Sequence, residues 1–457
     1  MKINKIYCGN AIDILRTYFP SESISMVITS PPYWSLRDYG LDPVLWDNNP
    51  DCDHEWIYLI KRPPGGKPSS RTLVGSNKNV FINMRDHNVV SYYCKKCGAW
   101  KGQLGLEPTP EMYVKHLCDI FDEIKRVLRE DGTLWVNIGD AFKSKGSART
   151  WAFTLDGKRM EDEDCNVVNL NIRNKSLVGL PEMFVLEMQK RGWIRRNTII
   201  WKKGNAIPCS VKDRFTVDFE YMYLFVKSES YYFEQQFEPF SDITEVKYRI
   251  QLRKNKEYNC KEPYKYNMPY KHNKARLVSQ ESPNRMWEDN ESLEAQLARG
   301  RNKRCVWEIN TRPFKDAHFA VFPPDLLEIP IKAGCPEYIC VKCGKPAKKI
   351  FDSSRRINTR PGKDVLKGKS GTDENPNKSL HRSDLARYRQ IILYEDAGYE
   401  RCDCNAGFQP GIVLDPFMGS GTTAIVAEKL NRLWVGIEIK KEYIDIAKKR
   451  ILNERKR

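Results

Sequence analysis

The sequence predicts an α/β fold with a doubly wound, mostly parallel sheet, and three observations carry this prediction. Short apolar runs rich in β-branched residues, such as Ile24–Thr29, end at prolines or acids, as buried strands do. Apolar residues at helical spacing alternate with these runs, most clearly over 109–128. The 457 residues, 40% of them hydrophobic, are enough to bury a large core. Alternating helices and strands favour a sheet that is covered on both faces.

The predicted elements follow one another along the chain. Thr109 is placed to cap a helix, Pro110 fits its first position, and Glu111 faces the positive end of the helix dipole. A turn at Asp131-Gly132 is predicted to end this helix. The pattern then predicts strand 133–138, helix 181–191, strands 194–201 and 219–226, strand 412–414, helix 422–430, strand 433–438 and helix 442–452.

Three stretches break this rhythm. Residues 41–107 are rich in Gly, Pro, Asn and Asp, and they are predicted to be an inserted loop module. Residues 234–304 are polar and basic, with tyrosines interleaved among lysines and arginines. Residues 334–410 form a second stretch that carries cysteines and is rich in Gly, Pro and Lys. We expect these stretches to be insertions in the α/β fold.

The charge balance points to a polyanionic partner. The chain has 76 Lys plus Arg against 59 Asp plus Glu, a formal net charge of +17. Nucleic acid is the first expectation and an anionic membrane surface the second. No apolar run approaches the roughly 20 residues that span a bilayer, and the N-terminus has no apolar signal core. The sequence therefore predicts a cytoplasmic protein without a membrane anchor.

A strand, a glycine-rich turn and a helix follow one another near the C-terminus. The run is Val413-Leu414-Asp415-Pro416-Phe417-Met418-Gly419-Ser420-Gly421-Thr422-Thr423. Glycines let the backbone approach a ligand, and the helix start offers free N–H groups. Glu438 ends the next strand, where an acid is placed to bind ribose hydroxyls. An acid before the turn repels a pyrophosphate and attracts an ammonium, which favours S-adenosylmethionine over NAD as the cofactor.

A second motif follows strand 24–29 directly. It reads Ser30-Pro31-Pro32-Tyr33. The two prolines stiffen the loop and leave carbonyls without a competing N–H. The Ser30 hydroxyl and the Pro31 carbonyl can then accept both hydrogens of an exocyclic amine, and Tyr33 offers a stacking face for a planar base.

Together the two motifs resemble those of the amino-methylating DNA methyltransferases, whose catalytic loop reads Ser, Asp or Asn before Pro-Pro-Tyr/Phe. The catalytic loop precedes the cofactor turn here, an order that is similar to the circularly permuted β group, although Asn10 stands where an Asp is common. The resemblance implies a class I methyltransferase fold that acts on double-stranded DNA. It implies a catalytic half over 1–233 with an insertion at about 42–107, a target-recognition insert over 234–304, a cofactor-closing segment over 305–334, a second cysteine insertion over 335–410 and a cofactor-binding half over 411–457.

The resemblance also implies roles for single residues. The catalytic residues are Ser30, Pro31, Pro32 and Tyr33. The cofactor-binding residues are Asp415 at the amino group, Phe417, Gly419, Gly421 and Thr422 in the turn, Glu438 at the ribose, and His318 in a segment that closes over the methionine end. Ser at position 30 is typical of cytosine-N4 methylases and Asp of adenine-N6 methylases, so cytosine is the predicted base.

Several alternatives stay open at this stage. They are adenine-N6 methylation, an RNA or protein substrate, and a non-catalytic zinc protein that binds nucleic acid. Cytosine-C5 methylases use a Pro-Cys nucleophile, and Pro208-Cys209 is present, but it does not follow the catalytic strand. Cys209 is therefore interpreted as incidental. A cognate restriction endonuclease is a further partner that the resemblance admits, and the oligomeric state stays open.

Eight further residues form two sets of close pairs with the chemistry of structural zinc sites. They are Cys52, His54, Cys94 and Cys97 in the first set, and Cys340, Cys343, Cys402 and Cys404 in the second. Four soft ligands from two close pairs suit tetrahedral zinc, and a glycine after each Cys-x-x-Cys permits the tight turn. The sequence predicts two structural zinc ions. His54 is the least certain ligand because Glu55 competes with it.

Overall fold

The structure is a computed structural model. It describes residues 1–35, 38–61, 89–143, 150–155, 172–241, 243, 245–247, 250, 300–312, 322–352, 356–358, 390–392, 395–400 and 402–456.

The described strands are numbered here in chain order. They are β1 (Lys5–Cys8), β2 (Ile24–Thr29), β3 (Val44–Trp46), β4 (Trp56–Lys61), β5 (Val89–Cys94), β6 (Trp100–Gly102), β7 (Leu128–Ile138), β8 (Thr150–Phe153), β9 (Ile194–Lys202), β10 (Phe219–Val226), β11 (Phe237–Glu238), β12 (Arg301–Asn302), β13 (Val306–Glu308), β14 (Ile339–Cys340), β15 (Lys348–Asp352), β16 (Arg356–Asn358), β17 (Gln390–Ile392), β18 (Glu395–Glu400), β19 (Phe408–Gln409), β20 (Ile412–Asp415) and β21 (Leu433–Glu438).

The described helices are α1 (Ala11–Tyr18), α2 (Pro110–Val127), α3 (Leu180–Lys190), α4 (Pro324–Gly334), α5 (Thr422–Lys429) and α6 (Lys441–Arg455). Helix α2 begins as predicted, because the Thr109 hydroxyl accepts the Met112 N–H at 3.2 Å. Among the residues that the structure describes, no helix is both long enough and apolar enough to cross a membrane.

Eight strands form the central sheet, in the order β1-β21-β20-β2-β7-β10-β9-β13. Strands β1, β21, β20, β2 and β7 pair in parallel, β10 is antiparallel to both β7 and β9, and β13 is parallel to β9. The prediction of a mostly parallel sheet is confirmed. From the adjacent strands β20 and β2 the chain continues to β21 on one side and to β7 on the other. Ligands bind at the carboxyl edge beside such a reversal point in open α/β sheets.

Both faces of this sheet are apolar, because alternate residues of one strand point to opposite sides. On β10, Tyr223 and Phe225 belong to the apolar cluster that contains residues of α1, α2 and α3, whereas Met222, Leu224 and Val226 belong to the cluster that contains residues of α4, α5 and α6. Helices therefore cover both faces, as a doubly wound sheet requires.

Residues 41–107 differ from the sequence prediction of an inserted loop module. The described part forms an antiparallel sheet with β8, in the order β3-β6-β5-β4-β8. Its strands are short and interrupted by turn residues, so local spacing did not reveal them. Pairing between strands supplies the backbone hydrogen bonds that each strand lacks by itself.

The start of β7 also differs from the prediction. The sequence placed a turn at Asp131-Gly132 and the strand after it, but β7 begins at Leu128. Leu128 already pairs with Ile24, and the register then shifts before Met26 pairs with Thr133. The turn residues lie in this irregularity within the strand instead of ending a helix.

The chain divides into two compact units. The first comprises residues 1–234, 305–346 and 404–457 and contains both sheets described above. The second comprises residues 235–304 and 347–403. In its described part, β11 pairs with β12, β15 with β18, and β16 with β17, each time antiparallel.

A buried histidine joins the smaller sheet of the first unit to helix α2. His116 is fully buried and stacks on Trp46 at 4.6 Å and on Trp100 at 5.5 Å between ring centroids. Its Nδ1 lies 3.2 Å from Glu107 Oε1, and its Nε2 lies 3.1 Å from Asp47 Oδ2. One ring thus contacts two aromatic faces and two carboxylates of the insertion.

This arrangement changes how His116 titrates. Burial by itself lowers the pKa of His116, but the hydrogen bonds to Asp47 and Glu107 outweigh burial and raise the pKa above its ordinary value of 6.5. The pKa of Asp47 falls to about 2, because its hydrogen bonds to His116 and Lys115 outweigh burial. The imidazolium form therefore stabilises the folded state.

Replacing His116 with Gln should remove a pH-dependent part of the stability. A group whose pKa is raised on folding contributes fully below its unfolded value, 6.5, and loses that contribution as the pH rises through the folded pKa. Hydrogen bonds to charged groups are worth about 1.5–3 kcal/mol each. Melting temperatures of wild type and His116→Gln, measured from pH 6 to pH 9, should therefore differ most at the low end of this range and less as the pH rises. A difference that stays constant over this range would contradict a charged His116.

Candidate active site

The catalytic loop leaves the sheet at the carboxyl end of β2. Thr29 is completely buried, whereas Ser30 directly after it is half-buried and reaches a pocket. The Pro32 carbonyl accepts the Tyr113 hydroxyl at 2.8 Å, which fixes the loop on α2. This contact does not involve the Pro31 carbonyl, which the sequence analysis pairs with the Ser30 hydroxyl as the two acceptors for an amine.

The insertion braces the same loop from its other side. The Trp34 indole N–H donates to the Glu107 carbonyl at 3.0 Å, and the Ser35 N–H donates to the Gly105 carbonyl at 2.7 Å. Gly105 has φ +91° and lies against the Tyr33 carbonyl, 3.3 Å from where a Cβ would stand. A side chain at this position would strain the backbone and displace the catalytic loop.

Tyr33 is held by a polar network that the sequence did not predict. Its hydroxyl donates to Glu220 Oε2 at 2.7 Å and lies 3.3 Å from Asn137 Oδ1. The Asn137 amide donates to the same Glu220 oxygen, and the Lys203 ammonium pairs with the other one. Burial and the Glu220 carboxylate raise the pKa of Tyr33 well above its usual value. Tyr33 is therefore a neutral donor with a fixed ring.

The glycine-rich turn after β20 is organised by Asp415, which is 1% exposed. Its Oδ1 accepts the Thr29 hydroxyl at 2.7 Å and the Phe417 N–H at 3.0 Å, and its Oδ2 accepts the Thr423 hydroxyl at 2.6 Å. The sequence assigned Asp415 to the cofactor amino group. In the structure its side chain binds the turn itself, and Asp415 is not among the described residues that line the pocket.

Glu438 closes the turn from the end of β21. Its Oε2 accepts the Gly419 N–H at 2.8 Å, and its Oε1 accepts the Lys440 N–H at 2.8 Å. The side chain is largely buried, and burial raises the pKa of Glu438. Each oxygen keeps a lone pair for a further donor, so the carboxylate can receive ribose hydroxyls.

One pocket collects most of the predicted site residues. Those that line it are Ser30, Pro31, Pro32, Tyr33, Phe417, Gly419, Thr422 and Glu438. Gly421 is not among the residues that line the pocket. It has φ +82° and directly precedes α5, and a Cβ at this position would stand 2.9 Å from Ala447. His318 lies outside the described residues, so its role stays a prediction.

The pocket also has a wall that the sequence analysis missed. It is formed by Tyr39, Leu41, Asp42, Val44, Trp46, Gln103 and Leu104 of the insertion. Tyr39 meets Tyr443 of α6 edge to face, with 6.5 Å between ring centroids, and its carbonyl accepts the Lys440 ammonium. Nothing in the spacing of these residues marks them, because only the folded insertion brings them to the carboxyl edge of the sheet.

The first cysteine set converges in space. One ligand atom from each of Cys52, His54, Cys94 and Cys97 lies within 4.8 Å of the others. The Cys52 and Cys94 sulfurs are 3.9 Å apart, and Cys97 Sγ is 3.4 Å from His54 Nδ1. Tetrahedral zinc with ordinary bond lengths places such atom pairs about 3.8 and about 3.6 Å apart. The residues therefore fit zinc, and His54, not Glu55, belongs to the cluster.

The second set repeats the backbone geometry of the first. Gly98 donates to the Cys94 carbonyl at 3.0 Å, and Gly344 donates to the Cys340 carbonyl at 3.0 Å. Both glycines have positive φ, +81° and +70°. In the first unit, the sulfurs of Cys340, Cys343 and Cys404 lie within 4.8 Å of one another. Cys402 belongs to the second unit, and its part in the set stays a prediction.

Comparison with known proteins gives one family for this architecture. The family model described as DNA methylase, for the N6 and N4 enzymes, matches residues 24–342 and 407–449. The match thus contains the Ser30–Tyr33 loop, the Cys94/Cys97 pair and the glycine-rich turn at 417–421.

Individual relatives match along nearly the whole chain. The Type II methyltransferase M.SmaI of Serratia marcescens is 27% identical over 454 residues, which cover 99% of this chain and 91% of the relative. M.Cfr9I of Citrobacter freundii is 26% identical over 459 residues, covering 98% and 88%. Among solved structures, the PvuII DNA methyltransferase, described as cytosine-N4-specific, overlaps with a TM-score of 0.40 at 14% identity, covering 100% of this chain and 93% of that one.

Replacing Asp415 with Asn should remove a stability cost that appears as the pH rises. Burial raises the pKa of Asp415 from 3.8 to about 6, against the opposing hydrogen bonds from Thr29 and Thr423. Asp415 therefore contributes favourably to the free energy of unfolding below about pH 4, and this contribution is lost as the pH rises through 6. At about 1.4 kcal/mol per pKa unit, the free energy of unfolding changes by about 3 kcal/mol.

Thermal unfolding of the two ligand-free proteins from pH 4.5 to 7.5 measures this effect. The melting temperature of Asp415→Asn minus that of wild type should increase up to about pH 6 and then level off. Parallel pH profiles would show that the carboxylate ionises normally in the folded protein.

Proposed function

The chain belongs to the N6/N4 family of DNA methylases, and from that premise we propose that it transfers a methyl group from S-adenosylmethionine to the exocyclic N4 of a cytosine flipped out of double-stranded DNA. The observation that carries the proposal is the pocket in which Ser30 and Tyr33 meet Gly419 and Glu438. Membership in a DNA methylase family favours DNA over RNA or protein as the substrate. The chain order of the two motifs supports assignment to the permuted β group.

The cofactor half of the pocket suits S-adenosylmethionine. When bound, this cofactor supplies an electrophilic methyl group on a sulfonium. Glu438 accepts ribose hydroxyls with the lone pairs that Gly419 and Lys440 leave available. Phe417 and Gly419 pack against the cofactor from the turn. Asp415 keeps the turn in place through Thr29 and Thr423, and its negative charge favours a nearby ammonium.

The catalytic loop prepares the amine for attack. An exocyclic amine is a poor nucleophile because its lone pair is delocalised into the ring. Ser30 Oγ and the Pro31 carbonyl would accept its two hydrogens and so favour the sp³ geometry that the nitrogen needs for attack. As the bond from nitrogen to the methyl forms, the methyl–sulfur bond breaks and leaves a neutral thioether, and the nitrogen then loses one proton to solvent. The prolines hold these acceptors rigidly, and pre-organised acceptors cost no reorganisation during the reaction.

Tyr33 supports the flipped base. Flipping costs a few kcal/mol, and a stacked aromatic ring offsets part of this cost. The hydroxyl is anchored on Glu220 and Asn137, so the ring offers a defined surface instead of a rotating one. The ring edge also lies against Gly139, where a Cβ would stand 3.0 Å from it.

Ser30 favours cytosine over adenine. A neutral hydroxyl both accepts from the amine and donates to cytosine N3, whereas an ionised Asp cannot donate. Cytosine-C5 chemistry requires a cysteine beside the base. Cys209 is exposed and does not belong to the described lining of the pocket.

Replacing Ser30 with Ala should slow methyl transfer by about 10² to 10³, the usual cost of a lost transition-state hydrogen bond of this kind. The measurement is single-turnover methylation of unmethylated phage DNA with labelled S-adenosylmethionine. Cofactor affinity should stay within about twofold of wild type. Ser23→Ala is the matched control, because this exposed serine binds the Pro20 carbonyl away from the pocket.

The same reaction identifies the methylated base. Wild-type product DNA is digested to nucleosides, and N4-methyldeoxycytidine is the expected modified nucleoside. N6-methyldeoxyadenosine would establish the adenine enzyme of the same family instead. 5-Methyldeoxycytidine would overturn the direct-attack mechanism.

We assign recognition of the DNA sequence to residues 234–304, most of which lie outside the described residues. Interleaved lysines, arginines and tyrosines suit phosphate contacts and base contacts, and phosphates position a protein while base edges specify the site. A Type II enzyme of this kind would protect DNA against a restriction endonuclease of the same specificity, which is the partner that we propose.

Two structural zinc ions complete the proposal. The first would be held by Cys52, His54, Cys94 and Cys97, and the second by Cys340, Cys343, Cys402 and Cys404. His54 Nε2 lies 3.1 Å from Asn48 Oδ1, which orients the ring so that Nδ1 faces the sulfurs. The two sets share the same backbone turn, and that repetition supports a common metal.

Elemental analysis of the purified protein should give close to two zinc ions per chain. Cys97→Ser and Cys343→Ser should each lose one ion, and the double variant both. Structural zinc contributes on the order of 10 kcal/mol to the module it organises, so each loss should expose that module to proteolysis. Cys209→Ser is the control with an exposed thiol outside both sets. Fewer than one zinc ion in wild type, or unchanged proteolysis after chelation, would contradict the assignment.

A further inference from the structure

The loop between β9 and β10, residues 203–218, leaves the sheet at the same edge as the catalytic loop. Strand β9 runs in the same direction as β7 and β2, since both β7 and β9 are antiparallel to β10. The end of β9 therefore lies at the carboxyl edge. The Lys203 N–H donates to the Asp218 carbonyl at 2.7 Å, which closes the base of the loop.

The side chain of Glu220 connects the base of this loop to Tyr33. Lys203 pairs with Glu220, and Glu220 accepts the Tyr33 hydroxyl at 2.7 Å. On the other side, Asn205 receives the Thr311 N–H at 2.9 Å and donates to the Thr311 carbonyl at 3.0 Å. The loop thus starts from a fixed position beside the pocket that would hold the base.

The middle of the loop exposes apolar side chains to water. Phe215 is 96% exposed and Ile207 73% exposed, and Val211 and Val217 are also exposed. Burying such side chains stabilises a fold, so a phenylalanine ring left in water indicates a role other than the folding of this chain. Clustered exposed apolar residues rimmed by polar ones mark interaction sites.

Charges on the loop suit a nucleic acid. Asp213 pairs with Lys175 at 2.6 Å, and the Arg214 guanidinium lies 3.3 Å from the centroid of the Phe142 ring. These two contacts brace the flank of the loop and partly neutralise Asp213. Lys212 is exposed next to the apolar group. A cation beside an exposed aromatic ring is what binding to phosphates and bases requires.

We propose that the β9–β10 loop enters the DNA duplex at the flipped base, with Phe215 filling the space that the base leaves and Lys212 contacting a nearby phosphate. Ile207 packs against the neighbouring bases. Apolar side chains that enter a base stack compensate for the lost stacking and keep the extruded base from returning. This inference rests on the proposed DNA methylation, and it assigns to the loop a role separate from that of Tyr33, which contacts the base after extrusion.

Two DNA substrates separate this role from general DNA binding. Both are duplex oligonucleotides that contain the site identified by sequencing DNA methylated by the wild-type enzyme. In one the target base is paired normally, and in the other it faces an abasic position and is already unpaired. Loss of the Phe215 ring should lower kcat/KM on the paired duplex by about ten- to a hundredfold, the usual range for one lost base–aromatic stack.

On the unpaired substrate Phe215→Ala should be within about threefold of wild type, because the base needs no extrusion. Phe215→Leu should recover part of the activity on the paired duplex by restoring apolar volume. S-adenosylmethionine affinity, measured by calorimetry, should not change. Leu186→Ala is the matched control, since Leu186 is 60% exposed on α3.

The outcomes distinguish the two proposals. If sequencing finds no methylated base in DNA treated with the wild-type enzyme and S-adenosylmethionine, the proposed function is overturned. A wild-type enzyme that methylates both, together with a Phe215→Ala variant that matches it on the paired duplex, overturns only the role of the loop. Equal loss on both substrates, or weaker cofactor binding, also overturns the role in base extrusion.

Discussion

The carboxylate of Asp415 is the contact on which the site depends. It accepts the hydroxyl of Thr29, the residue before Ser30, across 386 positions of sequence. It also accepts the Thr423 hydroxyl and the Phe417 N–H of the cofactor turn. Methyl transfer requires donor and acceptor atoms about 3–3.5 Å apart and aligned. In addition to the pairing of β2 with β20, this buried side chain therefore joins the two loops that would present them.

This anchor lowers the stability of the fold. An ionised carboxylate held by hydroxyls and a backbone N–H in a buried position keeps an unfavourable desolvation energy, as its raised pKa of about 6 shows. Burial also raises the pKa of Glu438 at the end of β21, so its ionised form has an unfavourable desolvation energy as well. Both acids lie at the carboxyl edge of the sheet, where function and not packing determines the residue type.

The insertion after the catalytic loop belongs to the site. Trp46 and Trp100 hold His116 of α2 between them, and residues on either side of β3 and β6 form a wall of the pocket. The Glu107 carbonyl also accepts the Trp34 indole N–H, and the Gly105 carbonyl accepts the Ser35 N–H, so movement of this insertion would displace the loop that carries Ser30. Each of the two Cys-x-x-Cys turns is closed by a glycine N–H that donates to the carbonyl of the first cysteine.

Local pattern in the sequence predicted six of the eight strands of the central sheet, four of the six described helices and the two loops of the pocket, but not β1, β13, α1 or α4. Apolar runs, helix caps and prolines are recognised within a few residues of sequence, as at Ile24–Thr29 and at Thr109. The motifs at Ser30 and Gly419 were equally legible, because rigid prolines and glycines have few other uses at strand ends.

Only the tertiary structure decided which side chains complete the site. Glu220 and Asn137 reach Tyr33 because β10 is antiparallel to β7, and their register brings them beside it. Asp415 has the predicted position but binds Thr29, a partner that no local pattern could name. The pocket wall over 39–46 depends on strand pairing within the insertion. Contacts between residues far apart in sequence arise from burial and strand pairing in the folded chain. A short window of sequence gives no information about either.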